Sequence, residues 1–102
     1  MKQFTLVVGL AAALAAFPVR PSDELAKKHA CLACHTVDKK LVGPSYKEVA
    51  AKYRGDAGAE AKLVDKVRKG SQGVWGQVPM PPNGAVPEGD VRTLVRWILS
   101  QK

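Results

Sequence analysis

Apolar positions in this chain fall into one unbroken run and four short periodic stripes. The run extends from Phe4 to about Ala16, follows a single early cation at Lys2, and closes on small residues. The first stripe is weak. A helix is predicted from Ser22 to Ala30, with Ser22 as N-cap, Asp23 and Glu24 at the positive end of the helix dipole, and Leu25 as its buried anchor. A second helix is predicted from Ser45 to Tyr53. Ser45 and Glu48 have capping-box spacing, and Tyr46, Val49, Ala50 and Tyr53 recur at i, i+3, i+4 and i+7. A third covers Ala57 to Lys69, with Leu63, Val64 and Val67 on its apolar face and Gly70 as its stop. The last runs from Glu88 to Ser100. Val91, Leu94, Val95, Ile98 and Leu99 give it the clearest helical period in the chain.

Between the third and fourth helices lies "GSQGVWGQVPMPPNGAVP". Four glycines and four prolines between Gly70 and Pro87 exclude a helix or a central strand there. No alternating strand pattern occurs elsewhere. The predicted fold class is therefore all-α, one domain with one long loop. Structureless loops of this length in small domains are usually functional or disordered, and Trp75 and Met80 within it point to function.

The apolar run has the layout of a cleaved secretory signal peptide over residues 1–16, and it is too short to span a membrane. Two prolines, Pro18 and Pro21, make residues 17–22 an extended lead-in to a domain at 23–102. Export would put the protein in an oxidising compartment, which permits a disulfide. The 102 residues carry a net charge of +7, and loss of the leader removes only Lys2 from that balance. A basic protein invites a nucleic-acid reading. Export argues against it, and the cations are interspersed with acids, so an acidic protein partner fits better.

"CLACH", Cys31 to His35, holds both cysteines of the chain. C-x-x-C-H is the attachment signature for c-type haem. Two thiols three positions apart on a helical turn can each bond one vinyl group of a porphyrin, and the following imidazole meets the iron from one face. The rivals are weaker. A zinc site wants four ligands and only three are present here. A thioredoxin-like dithiol needs strands that are missing. A Cys31–Cys34 disulfide would close too small a loop to stabilise a domain much.

The iron's other face takes Met or His, or stays open. His29 lies on the proximal segment, whereas Met80 is the only methionine left after leader removal. Pro79, Pro81 and Pro82 bracket it and stiffen the backbone into a strap. His35 also needs a partner for its second ring nitrogen, and a carbonyl of the Leu41–Pro44 loop is well placed.

These residues carry a family resemblance. "CLACH", "LVGPSYKEVAAKY", "GSQGVWGQVPMPPN" and "LVRWILSQK" resemble the small bacterial class I cytochromes c of the cytochrome c-551/c-552 type, over nearly all of residues 23–102. The resemblance implies a cytochrome c fold of four to five short helices wrapped around one covalently bound haem c and its iron. It implies Cys31 and Cys34 as tethers, His35 as proximal ligand and Met80 as distal ligand. It further implies that Pro44 gives its carbonyl to His35, that Trp75 bonds a haem propionate, and that Asn83 orients the methionine sulfur. Lys66 matches a basic residue that reaches a propionate in several members, with Lys standing in place of Arg. Ala30, where the family often has Gly, together with Ala26, Gly84 and Pro87, depart from the family pattern.

The function so implied is a monomeric periplasmic electron carrier. Its donor would be a cytochrome bc complex, and its acceptor a nitrite reductase, peroxidase or terminal oxidase. Lys27, Lys28, Lys39, Lys40 and Lys47 are candidates for steering an acidic redox partner, although each alone also reads as part of a solvated face. The competing readings are a haem protein with a labile sixth ligand, for ligand binding or peroxidatic chemistry, and a thiol-disulfide oxidoreductase. Trp97 reads as core packing and Tyr53 as the rim of the haem pocket.

Overall fold

The computed structural model describes residues 21–102. The expected leader, and the lead-in up to residue 20, lie outside the described residues. The chain runs α1 (Pro21–Lys28), a single 3-10 turn (Cys31–Ala33), α2 (Tyr46–Lys52), α3 (Ala59–Lys69) and α4 (Glu88–Leu99). The described residues form no strand beyond two isolated bridges. The all-α expectation holds, with four helices and one short turn.

α4 is the organising element, because α1, α2 and α3 all pack on it. Its Val91 and Val95 are fully buried and meet Val49 of α2 and Leu63 and Val64 of α3. Tyr53, Val67, Val86, Ile98 and Leu99 close around that cluster. Arg96 on the outer face of α4 donates to Glu60 of α3 at 2.7 Å.

Two helix starts differ from the pattern-based expectation, and a third follows it. α1 begins at Pro21, which is tolerated at a first helical position because no intrahelical acceptor awaits its missing N–H. Ser22 therefore lies inside the first turn, and residues 21–22 are helical instead of an extended lead-in. Ala26 is completely buried, while Leu25, the expected anchor, is only half-buried. α3 starts at Ala59, two residues late, because Asp56 builds a turn first. The Asp56 carboxylate accepts from the Gly58 N–H and from Lys62 Nζ, each at 2.8 Å. The hydrogen bond from Lys62 holds that carboxyl below its usual range. α2 starts as its capping box predicts, with Ser45 Oγ accepting from the Glu48 N–H at 3.1 Å.

α1 ends at Lys28 because Ala30 turns into the left-handed region, φ 59 and ψ 21. It is the one non-glycine residue there among the described residues. This backbone costs an L-residue with a Cβ about 1–2 kcal/mol. The turn aims the next residue, Cys31, away from the axis of α1. We expect Ala30→Gly to raise the unfolding free energy of the haem-loaded protein by about 1 kcal/mol and its melting temperature by roughly 4–8 °C. Denaturant and thermal melts check this, and an unchanged or lowered midpoint contradicts it.

Candidate functional site

The cysteine–histidine motif is wound into its 3-10 turn by backbone bonds. Ala33 N–H donates to Ala30 at 3.2 Å, and the N–H groups of Cys34 and His35 both donate to the Cys31 carbonyl. Cys31 and Cys34 are half-buried and are not joined to each other by a disulfide. Burial pushes the Cys31 thiol upward.

The chain after the motif folds back to hold the imidazole. His35 Nδ1 donates to the Pro44 carbonyl at 2.8 Å, the partner that the family resemblance implies. That bond fixes the proton on Nδ1 and leaves Nε2 with a free lone pair for a metal. The loop is closed by Gly43 N–H donating to the Cys34 carbonyl at 2.7 Å. Gly43 lies flat against the ring. A Cβ there would come within 2.8 Å of Nδ1 and closer still to Cε1, so only glycine fits. The N–H groups of Tyr46 and Lys47 then donate to the carbonyls of Thr36 and Val37, seating the start of α2 on the motif loop. The Tyr46 ring stacks on the His35 imidazole, centroids 5.3 Å apart at 22°. Burial raises the Tyr46 phenol well beyond the ordinary tyrosine range.

Met80, half-buried, is fastened by its backbone. Its N–H donates to the Ser71 carbonyl at 2.8 Å and its carbonyl accepts from the Ser71 N–H at 3.1 Å. This reciprocal pair closes residues 71–80 into a loop with Met80 at its base. Gly70, at φ +83, lets the two strands of the loop approach: a Cβ there would lie 2.7 Å from the Met80 carbonyl oxygen. On the other side of Met80, Asn83 ties the strap to the end of α3. Its backbone N–H donates to Val67 at 3.0 Å, and its side-chain amide donates to the carbonyls of Val67 and Pro81.

Trp75 sits in the closed loop, 38% exposed, with Lys52 Nζ of α2 5.3 Å from its ring centroid. Lys66 is half-buried on α3 and makes no ion pair among the described residues. Lys27, Lys28, Lys39 and Lys40 are exposed, and Lys47 is paired with Asp38. The exposed large apolar residues are Leu41, Val42, Trp75 and Val78. All four belong to the two loops that carry His35 and Met80. A flat, largely apolar group held between those loops fits this placement, as do a paired-thiol tether, a pre-oriented imidazole and a pinned thioether.

The sequence pattern did not single out the Ser71–Met80 closure, the Lys52–Trp75 contact or the Tyr46–His35 stack. The first two join residues with no periodic relation. Tyr46 carried only the signal of an apolar helical position. Gly43 is the most exacting test of the imidazole clamp. We expect Gly43→Ala to destabilise the haem-loaded protein by about 1–3 kcal/mol, the usual cost of overpacking, and to shift its midpoint potential. Denaturant melts and a redox titration measure both. Wild-type values for both would mean the glycine is dispensable.

Residues 21–102 match the family model for cytochrome c. Cytochrome c-551 of Pseudomonas aeruginosa is 56% identical over 80 residues, covering 78% of this chain and 76% of that protein. Cytochrome c-552 of Hydrogenobacter thermophilus is 46% identical over 104 residues, spanning both chains entirely. The crystal structure of Nitrosomonas europaea cytochrome c552 superposes with a TM-score of 0.77 at 50% identity, covering 78% of this chain and 99% of that one. The chain belongs to the cytochrome c family, as a small class I member. That membership brings one covalently bound haem c with its iron.

Proposed function

We propose that this class I cytochrome c is a periplasmic one-electron carrier whose iron is closed on both faces. When bound, the haem supplies the Fe(III)/Fe(II) couple. Cys31 and Cys34 tether it through thioether bonds, so that it stays in place when the small domain breathes. His35 is the proximal ligand, presented through Nε2 because Nδ1 is committed to Pro44. Met80 is the distal ligand, and its soft sulfur favours the reduced state. Trp75 and Lys66 serve the propionates, and Asn83 holds the strap and the thioether it carries. The leader over residues 1–16 is removed on export, and residues 23–102 act as a monomer.

The observation that carries this reading is the reciprocal Ser71–Met80 pair. A thioether held at the base of a closed loop stays on the iron and leaves no site for substrate. A catalyst or gas sensor needs that position open or labile. The reduced protein should therefore show no spectral change with carbon monoxide at neutral pH, whereas Met80→Ala should bind it readily. Carbon monoxide binding by the unsubstituted protein would sink the carrier reading.

The donor is a cytochrome bc complex, and the acceptor a nitrite reductase, peroxidase or terminal oxidase. Contact with either is small and transient, as carriers require. The exposed Lys27, Lys28, Lys39 and Lys40 steer an acidic partner, while Lys47 is partly neutralised by Asp38. Electron-transfer rates with an acidic partner should fall as salt is raised, most steeply around and below about 0.1 M ionic strength. Lys39→Gln/Lys40→Gln should flatten that dependence. Rates indifferent to salt remove the steering role.

A further inference from the structure

Three rings run in series from the motif into the helical core. The His35 imidazole stacks on Tyr46 at 5.3 Å and 22°, and Tyr46 meets Trp97 of α4 edge-on at 5.4 Å and 72°. Tyr46 is 3% exposed, so its ring is locked by packing. Its backbone is locked too, through the N–H bond to Thr36, one residue beyond His35. Trp97 is half-buried, on the helix against which all the others pack.

The Nδ1 bond to Pro44 fixes the imidazole's tautomer and direction. It does not fix the ring plane tightly, because hydrogen bonds tolerate tens of degrees of misalignment. Gly43 blocks the ring's movement on the side where its backbone lies. A near-parallel aromatic face is the remaining restraint on the plane, and aromatic pairs have geometric preferences that an aliphatic side chain lacks.

We propose that Tyr46, backed by Trp97, is a positioning residue that sets the plane of the His35 imidazole, so that the packing of α2 on α4 carries through one stacked ring to the orientation of the ligand. The role rests on His35 being the iron ligand.

The test uses the ferric haem-loaded protein and proton NMR. Hyperfine-shifted imidazole resonances identify the ligand, and the order and spread of the haem methyl shifts report its plane once the shifted Met80 resonances are seen to be unchanged. Tyr46→Phe keeps an aromatic face and should keep the wild-type order. Tyr46→Leu should lose it, and Trp97→Leu should change it in the same direction but less. Val64→Ala, a core truncation away from the ring series, should lower stability and leave the shifts unmoved. A folded Tyr46→Leu with the wild-type pattern overturns the proposal, as does Val64→Ala moving the shifts equally. If Tyr46→Leu does not fold, Trp97→Leu decides: an unchanged pattern overturns it. If the shifted imidazole of the unsubstituted protein is not His35, the ligand assignment falls, and the positioning role with it.

Discussion

The hydrogen bond from His35 Nδ1 to the Pro44 carbonyl, 2.8 Å long, joins the end of the cysteine motif to the residue before an N-cap. Its consequences spread in both directions along the chain. Toward the motif, it leaves Nε2 as the only nitrogen able to meet a metal. Toward the helices, it delivers Ser45 to a buried position from which α2 begins, and so places Tyr46 over the imidazole. Proline suits the acceptor position because it keeps its carbonyl while lacking an N–H that would need its own partner.

The rest of the molecule is modest in what it can contribute alone. The largest fully buried side chains among the described residues are two valines and a serine. A domain of this size gains little from apolar burial alone and relies on something further. In a class I cytochrome c that something is the haem. Leu41, Val42, Trp75 and Val78 are the exposed apolar surface such a group would explain. The protein chain arranges two loops, and the prosthetic group completes the interior between them. This is why the helices can be short and their contacts few.

Much of this was legible in the sequence because it depends on local rules. The capping box at Ser45, the stripe on α4 and the glycine stop of α3 are short-range patterns, and all three reappear. "CLACH" and the proline-bracketed Met80 were legible through chemistry, since few roles need those residue types together. What could not be read depends on partners distant in sequence. Leu25 is half-buried while its neighbour Ala26 is completely buried, a choice the weak first stripe does not make. α3 started late because Asp56 used its carboxylate to make a turn. The pairing of Ser71 with Met80 depends on Gly70 reaching φ +83, which a composition count of glycines does not reveal.

That closed loop also separates two kinds of change. The residues between Ser71 and Met80 lie outside the hydrogen bonds that hold the methionine, and most are exposed. Apart from Trp75, which Lys52 engages, and the apolar Val78, a substitution at the tip can change the exposed rim while the hydrogen bonds that hold Met80 stay intact. The rim can therefore vary in sequence while the backbone closure at Met80 is kept. The same separation makes the tip a natural place to graft recognition sequences onto the carrier.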